Sequence, residues 1–270
     1  MIIAQISDTH IALDTEDAGS RIRDFERTIA DINSLDPAPD LIFHTGDIVH
    51  NGRADEYAEA VRILGKAKVP VFVIPGNKDD RANLRAAFAD KGYLDPTSPH
   101  IDYTVEDYPV RLIAVDTLHT GSNKGDFCEA RARRLVEAID ADTSRPIAVF
   151  AHHPPFMVQV GPVGLNFETP EMMERLRRAM QRSPRVVRAF CGHVHRGTFG
   201  EVGAITTTVM PSVATSLRWG DYPPFMQDRP VYHIHRYDPK TGFSTESRIV
   251  GGLDDAALPV AGHEEHSLPV

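Results

Sequence analysis

The chain has few cysteines, no excess of positive over negative charge, and no long apolar run. Its 270 residues include two cysteines, Cys128 and Cys191, too few for a disulfide scaffold and without metal-motif spacing. We interpret both as structural thiols in a reducing compartment. The formal net charge of -9 argues against a protein that binds nucleic acid by bulk electrostatics. A small anionic substrate would need local positive charge, for which metal ions are the obvious source.

The missing apolar runs and leader bear on location. No run approaches the roughly 20 apolar residues that cross a bilayer, and the first residues carry no positively charged leader. We therefore expect a soluble, cytoplasmic protein without a membrane partner. With 41% hydrophobic residues, the chain can bury a substantial core, and we expect one domain over residues 1–250. The segment 251–270 is low in large apolar groups and is predicted to be a poorly ordered tail.

Apolar runs and helical patterns alternate in the first part of the chain. Strand-like runs at 2–6, 41–46 and 69–74 are separated by helical spacing at 22–35 and 54–66. This order predicts a parallel or mixed sheet with helices packed on it.

The same reading extends to the rest of the chain. It predicts helices near 81–90, at 129–139 and at 168–182, and strands at 101–105, 110–115, 146–151, 186–190, 204–210, 231–237 and 243–250. Residues 156–167 are rich in glycine and proline and are predicted to form a loop. The segments 156–182 and 212–230 are candidates for small lid elements.

Polar side chains that can bind metal ions directly follow five of the predicted strands. They are Asp8 and His10, Asp47, Asn77, His152, and finally His193 with His195. In an open sheet, ligands gather outside the carboxyl ends of the strands, so these distant residues can converge. Carboxylate, imidazole and amide groups together suit manganese, iron, cobalt or zinc. Seven protein ligands are too many for one tetrahedral ion, so two ions that share one carboxylate are the economical solution. Asp47 follows the turn at Gly46 and is our candidate for the residue at the centre of the active site.

Each of these motifs alone also fits a capped turn or a buried core histidine. We therefore expect no catalytic role for six other histidines, namely His44, His100, His233, His235, His263 and His266. The joint pattern is what favours a metal site, because every member follows a predicted strand.

Together the motifs resemble a known family. They are Asp8-x-His10, Gly46-Asp47, Gly76-Asn77, His152-His153-Pro154-Pro155 and Gly192-His193-x-His195, and they resemble the signature of the calcineurin-like metallophosphoesterases. The flanking residues are most similar to the bacterial branch of cyclic-nucleotide phosphodiesterases and glycerophosphodiesterases. The resemblance covers roughly residues 1–240. It implies a four-layer α/β/β/α sandwich with mixed sheets, a metal site at the carboxyl ends of the strands, and a homo-oligomer.

The resemblance also implies a role for each ligand position. Asp8, His10 and His195 would hold the first metal, and Asn77, His152 and His193 the second. Asp47 would bridge both.

The expected reaction is hydrolysis of a small phosphodiester, such as a 3′,5′-cyclic nucleotide or a glycerophosphodiester. Two neighbouring cations lower the pKa of a shared water, hold a phosphate oxygen and neutralise the transition state. Hydroxide then attacks phosphorus in line, opposite the leaving alkoxide. The alternatives are a broad phosphomonoesterase, a nuclease of the same superfamily and a non-catalytic binding module; the acidic charge weighs against nucleic acid.

One position departs from the family pattern. The family typically has histidine after Gly-Asn, whereas this chain has Lys78. Lysine keeps positive charge for a phosphoryl oxygen but is a poorer proton donor than imidazole at neutral pH. We predict that Lys78 is mainly an electrostatic clamp. For any step that needs a proton donor, either Lys78 gives up its proton more readily than usual or a neighbouring group is the acid. His50 is our candidate for that acid; the alternative is that His50 is an ordinary histidine in a surface loop.

Other residues are predicted to shape the pocket. His153 is expected to orient a metal-bound neighbour. Asn51 and Asn123 are candidates for substrate contact or for ordinary turns. Arg218 and Trp219 either close over an organic substituent or serve in packing.

Overall fold

The structure, a computed structural model, describes residues 1–160, 163–164 and 166–251. The strands are β1 (Ile2–Ile6), β2 (Leu41–His44), β3 (Val71–Val73), β4 (Tyr103–Val105), β5 (Arg111–Val115), β6 (Ile147–Ala151), β7 (Gln159–Val160), β8 (Val163–Gly164), β9 (Val186–Cys191), β10 (Thr198–Val202), β11 (Ile205–Val209), β12 (Val231–Asp238) and β13 (Gly242–Ile249). The α-helices are α1 (Ala18–Asn33), α2 (Ala54–Leu64), α3 (Arg81–Ala87), α4 (Glu129–Asp140) and α5 (Pro170–Met180). The predicted tail lies outside the described residues except for Gly251.

The strands form two large mixed sheets. In the first, the order is β13-β12-β1-β2-β3, with β1, β2 and β3 parallel, β12 antiparallel to β1, and β13 antiparallel to β12. In the second, the order is β10-β11-β9-β6-β5-β4, with the inner four strands parallel and the two edge strands antiparallel. Parallel strands bring their carboxyl ends to one edge of each sheet.

The predicted four-layer sandwich is confirmed. Helices α1 and α2 cover the outer face of the first sheet, where Phe25 and Ile63 are buried. Helices α4 and α5 cover the outer face of the second sheet through Leu135 and Leu176. The inner faces of the two sheets pack against each other, and the ring of Phe43 stacks on Phe150 with the centroids 3.7 Å apart. Because the central parallel strands are buried on both faces, a strand such as β6 is continuously apolar, as the sequence shows.

Several element predictions were wrong in detail. The strand at 198–202 was not predicted, because it is an edge strand whose Phe199 side chain is exposed, so it lacks the pattern of a buried strand. The predicted loop at 156–167 contains the short strands β7 and β8. Helix α1 begins before the predicted residue 22: Gly19 and Ser20 carry no apolar signal, yet Arg21 bonds Asp17 at 2.8 Å across the first turn.

The candidate lid segments occupy different surroundings. Helix α5 packs into the second sheet's core through Leu176 and Met180, whereas the loop after β11 carries Trp219 beside the site described below. A lid role for either segment stays a prediction. Within the described ranges, we find no helix with the length and apolarity needed to cross a membrane.

Candidate metal centre

The backbone is strained at most of the predicted ligands. Among the described residues, the non-glycine residues with positive φ are Asp8 (54°), His10 (43°), Asp47 (51°), His193 (76°) and His195 (54°). Each such residue costs about 1–3 kcal/mol and persists only where the surroundings enforce it. Here the loops hold one another: Asp8 N donates to Gly46 O at 2.9 Å, and His10 N donates to Asp47 O at 3.0 Å. The fold therefore stores strain where the sequence predicts metal ligands.

One group of donors consists of Asp8, His10, Asp47 and His195. A ligand atom of each lies within 4.8 Å of the others. The Nε2 atoms of His10 and His195 are 3.0 Å apart. His195 Nε2 is 3.3 Å from Asp8 Oδ1, and His10 Nε2 is 3.4 Å from Asp47 Oδ2. Two carboxylates and two imidazoles thus converge on one point.

A second group forms around Asn77. Its Oδ1 lies 2.9 Å from His193 Nδ1 and 3.2 Å from His152 Nε2. His153 adjoins this group, because its ring centroid is 4.3 Å from that of His193, and the three histidines can each offer a nitrogen within 4.8 Å. The amide oxygen and imidazoles make a second set of donors suited to a transition metal.

Asp47 belongs to both groups. Its Oδ2 lies 3.4 Å from His10 Nε2 and 3.5 Å from His152 Nε2. Its Oδ1 accepts the backbone N–H of Lys78 at 2.7 Å. One oxygen is therefore fixed by the protein, while the other faces both sets of donors.

The histidine rings are oriented by backbone carbonyls. His152 Nδ1 donates to Thr45 O at 2.7 Å, and His195 Nδ1 donates to Leu217 O at 2.9 Å. A carbonyl only accepts, so Nδ1 of each ring carries a proton, and Nε2 is the nitrogen that faces the site and can bind a metal ion.

The buried carboxylates favour a cation at this place. Burial alone would raise the pKa of Asp8 and of Asp47, but neighbouring imidazoles hold both below the usual range. Burial lowers the pKa of His193 to about 3 and also lowers that of His10, so both rings are neutral at pH 7. For His152, the charge of Asp47 overcomes burial and raises the pKa to about 9. Ionised carboxylates and neutral imidazoles are the forms that bind metals, so an ion bound at this place would displace a proton from His152.

The loops pack so closely that glycine is required between them. A Cβ on Gly76 would lie 2.2 Å from Asp47 Oδ1 and 2.3 Å from Asp47 N. On Gly192 it would lie 2.0 Å from Ser7 Oγ and 2.6 Å from Asp8 Oδ2. The glycines before Asn77 and His193 thus let the ligand loops meet.

Asp79 clamps two of these loops, and sequence reasoning missed it. The buried carboxylate accepts N–H groups of Gly76 at 2.8 Å and of Ile48 and Val49 at 3.2 and 3.3 Å, and the Tyr57 hydroxyl at 2.8 Å. Burial and the nearby charge of Asp47 raise the pKa of Asp79 to about 7. The only signal in the sequence was its place two residues after Asn77.

Asp116 makes a second clamp. Arg81, at the start of α3, donates Nε and Nη2 to its two oxygens at 2.6 and 2.9 Å. The next residue, Thr117, hydrogen-bonds His153 Nδ1 through its hydroxyl at 2.8 Å. The loop after β5 therefore supports both α3 and the histidine beside His193.

The rim of the centre carries Lys78, Asn123 and Trp219. Together with donors from both groups they line a cavity of about 160 Å³. Lys78 Nζ donates to Asn123 Oδ1 at 3.0 Å. His50 does not line this cavity; its Nδ1 lies 3.4 Å from His10 Nδ1, on the side of that ring away from Asp47. Asn51 bonds Glu56 at 2.7 Å instead of facing the site.

The chain is similar to known proteins both in sequence and in fold. Residues 1–197 match the family model of the calcineurin-like phosphoesterases. The chain is 31% identical over 265 residues to a probable glycerophosphodiester phosphodiesterase GpdQ of Arcobacter nitrofigilis, which covers 94% of this chain and 95% of the relative. It is 24% identical over 199 residues to the 3′,5′-cyclic adenosine monophosphate phosphodiesterase CpdA of Vibrio vulnificus, covering 72% and 69%. The crystal structure of a dimetal phosphatase from Danio rerio aligns with a TM-score of 0.68 at 12% identity, covering 93% of this chain and 99% of that one.

Proposed function

The chain belongs to the calcineurin-like phosphoesterases, and we propose that it hydrolyses a small phosphodiester at a centre of two metal ions. The observation that carries this proposal is the position of Asp47, whose Oδ2 lies 3.4 Å from His10 Nε2 and 3.5 Å from His152 Nε2. A carboxylate oxygen shared by two sets of donors is the feature that two neighbouring ions require.

The donor sets fit two ions. Asp8, His10 and His195 would hold one, Asn77, His152 and His193 the other, and Asp47 would bridge both. The mixture of oxygen and nitrogen donors suits manganese, iron, cobalt or zinc. Two such ions supply activation of water and neutralisation of phosphate charge. The protein contributes ligand rings fixed by carbonyls and carboxylates fixed by backbone N–H groups.

Lys78 acts as an electrostatic clamp. Its ammonium group reaches Asn123 Oδ1 at 3.0 Å on the cavity rim, where a phosphoryl oxygen can exchange for the amide. The backbone N–H of the same residue fixes Asp47. Lys78 therefore has two roles: its ammonium group supplies positive charge for the substrate phosphate, and its backbone N–H fixes the carboxylate of Asp47, which lies between the two donor sets.

His50 and His153 support the ligands. Burial and the neighbouring His10 lower the pKa of His50, so a neutral His50 Nδ1 can accept the His10 Nδ1 proton. This geometry favours orientation of His10; the role of His50 as an acid stays a prediction. His153, held by Thr117, packs against the ring of His193 and keeps it in place.

The physiological substrate is a small phosphodiester of either class named for the relatives. A glycerophosphodiester is supported by the relative from Arcobacter nitrofigilis, and a 3′,5′-cyclic nucleotide by that from Vibrio vulnificus. Location in the cytoplasm and assembly into a homo-oligomer also stay predictions.

The test is hydrolysis by the manganese-loaded protein of three diesters, cyclic AMP, glycerophosphoethanolamine and bis(p-nitrophenyl) phosphate, side by side with the monoester p-nitrophenyl phosphate. Asp47→Ala is the blank and should lose turnover together with at least one metal ion. Metal content is measured on the same samples. Full metal content and normal turnover in Asp47→Ala would refute the bridging role, and hydrolysis confined to p-nitrophenyl phosphate would favour the phosphomonoesterase alternative.

A further inference from the structure

Trp219 lines the cavity of the candidate metal centre although its side chain is largely exposed. It is the single tryptophan of the chain and is 52% exposed. It borders the same cavity as His10, Lys78 and Asn123. Tryptophan is on average a highly buried residue, and here about half of the side chain is open to solvent at the cavity. The ring is available to a ligand.

The backbone at Trp219 is tied to a candidate metal ligand. Its N–H donates to His195 O at 2.9 Å, while His195 Nδ1 donates to Leu217 O at 2.9 Å. Upstream, Asp24 accepts the backbone N–H and the hydroxyl of Thr215 at 2.9 and 2.7 Å. The exposed indole therefore stands on backbone that is fixed relative to the metal centre.

Arg218 secures the rest of this loop. Its guanidinium group donates to the carbonyls of Arg229 and Met226 at 2.7 and 2.5 Å, and lies 4.0 Å from the ring centroid of Tyr222. Those contacts tie the two ends of the loop together. Preorganised aromatic side chains bind with little loss of conformational freedom.

The cavity wall combines two kinds of chemistry. Lys78 and Asn123 offer positive charge and an amide, which suit a phosphoryl group. Trp219 offers a flat aromatic face and one N–H donor. A phosphate held by the charged groups leaves its organic substituent to contact the indole. An aromatic face recognises a planar ring by stacking, whereas a flexible polyol gains little from it.

We propose, resting on the proposed function, that Trp219 determines specificity by stacking on a planar ring of the substrate. The site then prefers nucleoside phosphodiesters, such as cyclic nucleotides, over glycerophosphodiesters.

Binding is tested by the fluorescence of the single tryptophan, which reports on this site alone. The manganese-loaded protein is titrated with AMP and, as a matched ligand without the base, ribose 5-phosphate. Excitation is at the red edge of the indole band, where adenine does not absorb. AMP should quench the emission and bind about 10- to 100-fold more tightly than ribose 5-phosphate, the range expected for one stacked base. Equal affinity and equal emission with the two ligands would overturn the proposal.

Kinetics test the same residue with a matched control. Trp219→Ala should lower kcat/KM for cyclic AMP about 10- to 100-fold, mainly through KM, and leave that for glycerophosphoethanolamine unchanged. Trp219→Phe keeps a stacking face and should retain most of the activity. The control is Phe225→Ala, which removes an aromatic side chain that is 54% exposed on the same loop and does not line the cavity.

The outcomes separate the two proposals. An equal fall for both substrates in Trp219→Ala would mean a merely structural role and would overturn the stacking proposal. If the wild type hydrolyses no diester, the proposed function fails, and the titration with AMP and ribose 5-phosphate still decides whether Trp219 binds a base.

Discussion

Gly76→Ala is the sharpest test of how the ligand loops fit together. The added methyl group would lie 2.2 Å from Asp47 Oδ1 and 2.3 Å from Asp47 N. An ordinary contact between non-bonded heavy atoms is about 3.5 Å, so one loop must retreat by more than about 1 Å. Neither yields easily, because Asp79 joins both loops through Gly76 N and Ile48 N. The overpacking should cost about 1–3 kcal/mol of stability.

The consequence for function should be about as large as the consequence for folding. The displaced Asp47 carboxylate serves both donor sets, and disturbing groups that orient ligands costs about 10- to 100-fold in metal affinity or activity. Metal content after dialysis, turnover of bis(p-nitrophenyl) phosphate and urea unfolding are measured on the same preparation.

Gly19→Ala is the matched control. Its new methyl group would meet only Arg23 Nη1, at 3.4 Å, on the surface of α1. Alanine in a helix should stabilise the protein by about 0.5–1 kcal/mol and leave the metal content unchanged. Wild-type metal content and turnover in Gly76→Ala would show that the close packing does not position Asp47, and the reasoning would be wrong.

Three further predictions follow from the charges. Lys78→Met should lower kcat/KM for every diester while metal content stays normal, and unchanged kinetics would exclude the clamp. Asp116→Asn leaves the buried Arg131 and the partly buried Arg81 without their full partner and should cost about 3–5 kcal/mol in urea unfolding; a loss below about 1 kcal/mol would contradict this. Burial alone would raise the pKa of Asp116, but the neighbouring Arg81 holds that pKa below its usual value. The ion pair therefore stabilises the protein fully above about pH 4, and this contribution is lost as the pH falls through the lowered pKa of Asp116. In acid, the difference in the free energy of unfolding between wild type and Asp116→Asn should therefore become smaller.

Much of the fold follows from local sequence. Continuous apolar runs such as Ile147–Ala151 form buried parallel strands, and helical spacing such as Phe25, Ile29 and Ile32 forms the covering helices. The edge strand at 198–202 was not predicted, because its own residues lack the apolar pattern of a buried strand. It is a strand because its backbone pairs with β11. Edge strands are decided by neighbours more than by propensity.

The kinds of side chain at the strand ends and their order, from Asp8 to His195, can be read from the sequence, because those residues directly follow apolar runs. Lys78 can also be read from it as a departure from the family pattern. Which groups meet is set by the tertiary fold: Asp47 lies between the two donor sets, His50 behind His10, Asp79 between two loops and Trp219 at the rim. The reason is physical, since these contacts join residues far apart in the chain, and their geometry depends on how two sheets pack rather than on any local pattern.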